Sequence, residues 1–142
     1  MRWGAWAVLA AGLGTAAWGW TEPARGSAER RALMDALRPQ AEALFGPPVE
    51  FVVDELRVAG DVAFAAVTAQ RPGGGAIAIH ETPGWRSGYF MEDAHWFGGQ
   101  ALLRRSGAGW VAVESVFGAT DVWWVGPDTC AAFGAVIADH CR

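Results

Sequence analysis

Residues 49–70 read VEFVVDELRVAGDVAFAAVTAQ, and this stretch decides the fold. Val49–Val58 and Asp61–Gln70 are rich in β-branched, aromatic and alanine residues, and Ala59-Gly60 separates them, which is the pattern of a β-hairpin. In the second run Val62, Phe64, Ala66 and Thr68 fall on one face and Ala63, Ala65, Val67 and Ala69 on the other. Both faces are fairly apolar, so this strand is expected to be central in its sheet. In the first run Val52, Leu56 and Val58 share one parity and Phe51 and Val53 the other; Asp54 and Glu55 interrupt the pattern and predict a bulge.

Upstream of the hairpin the period changes. Leu33, Met34, Leu37, Ala41, Leu44 and Phe45 recur at three- and four-residue intervals, one apolar stripe of a helix. Ser27 is a good N-cap and Glu29 suits the positive end of the helix dipole. Pro39 removes the hydrogen bond to the Asp35 carbonyl, so a kink near Arg38 or two short helices in line are expected before Gly46-Pro47-Pro48 ends the element.

Downstream, Arg71-Pro72-Gly73-Gly74-Gly75 reads as a flexible loop and Ile77-Ala78-Ile79 as a short strand. An irregular excursion spans 80–99. A second hairpin follows, from Gln100–Arg105 through Ser106-Gly107-Ala108-Gly109 to Trp110–Phe117. Gly118–Asp121 breaks the strand before Val122-Trp123-Trp124-Val125, and Pro127-Asp128-Thr129 starts a short last helix. A helix followed by meandering antiparallel strands predicts an α+β fold, a kinked amino-terminal helix laid on a curved antiparallel sheet of four to five strands.

This layout resembles the cystatin-like and nuclear-transport-factor-like group, in which a long helix packs on a curved antiparallel sheet. The pieces FVVDELRVAGDVAFA, ALLRR and GATDVWW also look like a widespread kind of small exported bacterial domain. The resemblance rests on the block from Ser27 to Val125, covers most of the mature chain, is architectural, and carries over no catalytic residue.

The first residues belong to a different grammar. Arg2 precedes a run from Trp3 to Thr21 without a charged side chain, and Ala17-Trp18-Gly19 places small residues at the −3 and −1 positions of a signal peptidase site. Residues 1–19 therefore read as a signal peptide cleaved after Gly19, with Thr15-Ala16-Ala17 as a second site. An uncleaved membrane anchor is the alternative, since the run approaches the roughly 20 residues that span a bilayer. Residues 20–26 read as a flexible lead-in and residues 27–142 as a single domain.

The 142 residues contain eleven arginines, no lysine and fifteen acids, a formal charge of −4. Removal of residues 1–19 leaves ten arginines against fifteen acids, a charge of −5, and six of the nine tryptophans. Such a chain has no basic excess to neutralise phosphates, so nucleic acid is not an expected partner. In an oxidising compartment Cys130 and Cys141 are expected to form a disulfide. A straight helix would hold their Cα atoms about 16 Å apart, so the segment must turn back. Gly134 is the expected bend.

No GxGxxG, P-loop, HExxH or EF-hand pattern occurs, and Gly84-Trp85-Arg86-Ser87-Gly88 is not a nucleophile elbow. The excursion carries His80, Glu81, Arg86, Tyr89, Glu92, Asp93 and His95. Asp93 with His95 is the one acid/base pair an enzyme of the nuclear-transport-factor-like kind would use. His80 and His95 are the imidazoles available to zinc, but no spacing fixes their convergence, so no metal and no other cofactor is expected. Trp85, Tyr89, His95, Trp96, Trp123 and Trp124 are the candidate ligand-binding side chains. If Trp123 and Trp124 lie in a strand they point to opposite faces, and one is expected to be exposed or packed beneath another element, the excursion or the Cys130–Cys141 tail. Together these readings predict an exported, periplasmic or secreted binding domain for a protein or cell-envelope ligand, working through the concave sheet face and the excursion. Membrane contact is expected only through an uncleaved leader.

Overall fold

In the computed structural model, which describes residues 19–141, Ser27 caps the first helix, its Oγ accepting a hydrogen bond from the Arg30 amide at 3.2 Å. The helix, α1, runs Ala28–Phe45 as one element with Pro39 inside it, not as two helices in line. Pro39 is exposed, so its ring faces solvent and the missing hydrogen bond interrupts no packed surface. Leu33, Met34, Leu37, Ala41 and Phe45 are buried, as the stripe predicts.

Four strands follow, β1 (Glu50–Ala59), β2 (Val62–Gln70), β3 (Gly98–Ser106) and β4 (Gly109–Phe117), in an antiparallel sheet of order β1-β2-β3-β4. β1 and β2 join through Gly60-Asp61, where Gly60 adopts a φ of 58° that the tight turn requires. The expected bulge lies between Val53 and Glu55. It moves the side-chain alternation by one residue: Phe51 and Val53 before it pack on the same core as Leu56 and Val58 after it, and Val52 is 43% exposed. The parity that groups Val52 with Leu56 and Val58 in the sequence is thereby broken.

The central position of β2 is as expected. Ala63, Ala65, Val67 and Ala69 meet α1 in the larger core, and Phe64 lies in a second core on the opposite face. That second face is covered by α3 (Pro127–Ile137), whose Phe133, Val136 and Ile137 pack on Phe64 and Leu102. The result is three layers, helix, sheet and helix, and the middle of the sheet offers no open concave face among the described residues.

Three local expectations are corrected. Ile77–Ile79 is not a strand; Ile77 and Ile79 are buried anchors and Ile79–Glu81 forms a 3-10 turn. Val122–Val125 is turn rather than strand, so alternation does not apply, and Trp123 and Trp124 are both half-buried against the second core. Gly134 lies within α3 and is not the bend; the chain reverses at Ala138–His140, and Cys130 and Cys141 are bonded with their Cα atoms 5.8 Å apart. A helix end plus one turn closes the loop without breaking helical hydrogen bonds, which a mid-helix bend at Gly134 would sacrifice.

The lead-in is tied to the domain. Thr21 exchanges two backbone hydrogen bonds of 2.8 Å with Val58 on the outer edge of β1, and Trp20 packs on the second core. The leader read at residues 1–19 lies outside the described residues except for Gly19. No helix among the described residues is long and apolar enough to cross a membrane.

Candidate functional site

The irregular excursion between β2 and β3 is seated by aromatic packing at the end of α1. The Phe45 ring stacks on Phe90 at 5.1 Å, meets Phe117 edge-on at 5.5 Å and lies 6.1 Å from Phe97. Beneath this lies Gly84, in the single-turn helix α2 (Pro83–Arg86), where an added Cβ would come within 2.4 Å of the Phe90 ring and 2.9 Å of the Leu44 carbonyl oxygen. No larger residue fits that contact. Thr82 is fully buried; its hydroxyl donates to the Ile79 carbonyl at 2.6 Å and accepts from the Trp85 amide at 3.2 Å. At the far end the Ala69 amide donates to the Phe97 carbonyl at 2.8 Å. The excursion is therefore irregular yet held at both ends and in the middle.

On this support three of the predicted side chains come together. The His80 ring lies edge-on to Trp85 at 4.3 Å and 6.1 Å from Trp96, and Trp85 and Trp96 are 6.2 Å apart and perpendicular. These are the edge-to-face separations that favour aromatic pairs. Trp96 is oriented further by its indole N–H, which donates to the Met91 carbonyl at 2.6 Å. His80 is exposed and the two indoles are half-buried. Tyr89, edge-on to Phe90, is 42% exposed and Met91 is 73% exposed. The excursion thus presents a rigid aromatic cluster flanked by two large exposed side chains.

The other predicted residues do not join it as a reaction centre. Asp93 and His95 are exposed, and neither side chain makes a hydrogen bond or ion pair among the described residues. His95 lines a shallow cavity of about 400 Å³ with Thr68, Trp96 and Phe97. Glu81 and Glu92 are exposed, and Arg86 donates to the Glu81 carbonyl. Among the described residues no three His, Cys, Asp or Glu side chains gather as metal ligands, so His80 and His95 lack companions. Trp123 and Trp124 lie on the other side of the sheet: the Trp123 indole N–H donates to Gln100 Oε1 at 3.3 Å, and Trp124 packs 5.5 Å from Phe64 and 5.9 Å from His140.

Two contributors escape a sequence reading. Met91 sits before the charged pair Glu92-Asp93 and carries no periodicity to mark it. Arg57 sits in an apolar strand, yet its guanidinium bonds Asp139 at 2.6 and 3.1 Å, the Val136 carbonyl at 3.0 Å and Glu55 at 2.8 Å. It also lies 4.9 Å above the Trp20 ring. Hydrogen bonds from Arg57 hold the Asp139 carboxyl below its ordinary range, against the opposing effect of burial. Asp139 in turn keeps Arg57 charged.

No family model, curated protein or solved structure matches this chain.

Proposed function

We propose that the protein is an exported, non-catalytic binding domain that engages a protein or cell-envelope ligand through the excursion. The observation that carries this reading is the His80–Trp85–Trp96 cluster, with ring separations of 4.3–6.2 Å, beside exposed Tyr89 and Met91. Interface energy concentrates in aromatic anchors that are rigid before binding, because fewer rotamers are then lost. The packing of Phe90 and Thr82 provides that rigidity here. With the middle of the sheet covered on both faces, the binding surface of this reading is the excursion alone. Export is supported by the leader pattern at residues 1–19 and by the Cys130–Cys141 bond, which suits an oxidising compartment.

Two measurements test it. Fractionation of cells expressing the full chain, with amino-terminal sequencing of the product, should give periplasmic or secreted protein beginning at Trp20; cytoplasmic protein with an intact leader contradicts export. Titration of the purified protein with soluble cell-wall fragments and solubilised envelope proteins should change its tryptophan emission, and the change should disappear in Trp85→Ala. An emission spectrum unmoved by any envelope fraction contradicts binding.

A further inference from the structure

A second surface, sharing no residue with the excursion, lies between the amino-terminal half of α1 and the outer edge of β1. It is a groove of about 470 Å³ whose apolar lining is Met34, Phe51, Val52 and Val53. Arg25, Arg30, Arg31 and Arg38 surround it, against one acid, Asp35, in a chain of formal charge −4. Two of the four are already engaged: Arg30 donates to the Pro23 carbonyl at 3.1 Å, and Arg38 donates to the Val49 carbonyl and lies 5.3 Å above the Phe51 ring. Arg25 and Arg31 are exposed, and neither guanidinium has a hydrogen bond or ion pair among the described residues.

The backbone of the groove wall is equally informative. β1 is an edge strand, paired with β2 on one side only, with Glu50 opposite Gln70 and Val52 opposite Thr68. The Ala69 amide points away from β1, to Phe97, so Thr68 and Gln70 are the residues that bond β1. By alternation Glu50 and Val52 face β2, and Phe51 and Val53 turn their N–H and C=O groups to the outer edge. Thr21 occupies that edge at Val58, beyond the bulge, and no described residue bonds the backbone of Phe51 or Val53.

We infer that this groove takes an extended, carboxylate-bearing segment of another protein, added to β1 as a further strand. Phe51 and Val53 offer donor and acceptor at strand spacing, which only a peptide backbone matches. Arg25 and Arg31 supply charge for its carboxylates, and the apolar lining takes its alternate side chains. A second copy of this chain is disfavoured, because pairing two β1 edges would set the two arginine groups against each other.

The test uses the purified protein and a fluorescein-labelled peptide of alternating glutamate and valine. The peptide should bind, and binding should weaken at least tenfold in the Arg25→Glu, Arg31→Glu double variant, whose exposed positions leave the core intact. A glutamine-for-glutamate peptide should lose the same factor. Methylation of alternate peptide nitrogens should abolish binding, and the Phe51 and Val53 amides should gain hydrogen-exchange protection when the parent peptide is bound. Absence of binding, equal binding by the double variant, or equal binding of the methylated peptide would overturn the inference. So would competition by inorganic polyphosphate with no amide protection, which describes a general anion site, or self-association of the protein through this edge.

Discussion

Arg57 on β1 holds Asp139, two residues past the end of α3, through two hydrogen bonds of 2.6 and 3.1 Å. The same guanidinium covers Trp20, so a single side chain joins the lead-in, the edge strand and the carboxy-terminal helix across the second face of the sheet. Hydrogen bonds to charged groups at partly buried positions contribute about 1.5–3 kcal/mol each, and removal of one partner leaves the other's charge unmet.

Arg57→Ala is therefore expected to lower unfolding free energy by about 2–3 kcal/mol at neutral pH, read by urea denaturation. Asp139 has a lowered folded-state pKa, so its contribution is complete above the unfolded carboxylate value, near 4, and is lost as pH falls through the lowered folded value. Asp139→Asn should be less stable than the parent at pH 7, and the difference should shrink at acid pH. A constant difference between pH 7 and pH 2 would contradict this assignment.

The Cys130–Cys141 bond closes a separation of eleven residues and ties down the turn that carries Asp139. Loop closure of that size is worth about 3 kcal/mol. Reduction, or replacement of both cysteines by serine, should cost about that much in thermal or urea unfolding. Combined with Arg57→Ala, the loss should be less than the sum, since both changes release the same tail. Strict additivity would show that the bond and the ion pair act on different parts of the molecule.

Gly84→Ala places a methyl group against the Phe90 ring and the Leu44 carbonyl. Overpacking of this kind costs about 1–3 kcal/mol. The expected outcome is a folded protein whose excursion is displaced, seen as faster hydrogen exchange of the Trp85 amide with β2 and β3 protection retained. Unchanged exchange at Trp85 would mean that Gly84 does not seat the excursion.

Much of the scaffold was legible because it rests on local periodicity. The stripe from Leu33 to Phe45, the Ser27 cap, both hairpins and the Asp54–Glu55 interruption each have a direct counterpart. What local pattern did not show is tertiary. The sequence of β2 marks a central strand, but that α3 covers its second face follows only once Trp123 and Trp124 are seen to turn rather than extend. Ile77–Ile79 has strand composition yet pairs with no strand of the sheet, and its apolar side chains serve as anchors instead. For the site, the aromatic content of the excursion pointed to Trp85, Tyr89 and Trp96, whereas the meeting of His80 with the two indoles depends on the Phe45–Phe90 stack far away in sequence. Asp93 and His95 have suitable chemistry but lie side by side in solvent-exposed chain, with nothing to bring them into a cavity as a pair.

The most direct test of the account is co-sedimentation of the purified protein with isolated cell envelopes, comparing the parent with the Tyr89→Ala, Met91→Ala double variant. Both side chains are exposed, at 42% and 73%, so their truncation should leave the circular dichroism spectrum unchanged. The account predicts saturable sedimentation of the parent and an affinity reduced about tenfold or more in the double variant, the loss expected when central interface contacts are cut back. Equal sedimentation of the two proteins, or none by the parent, would contradict it.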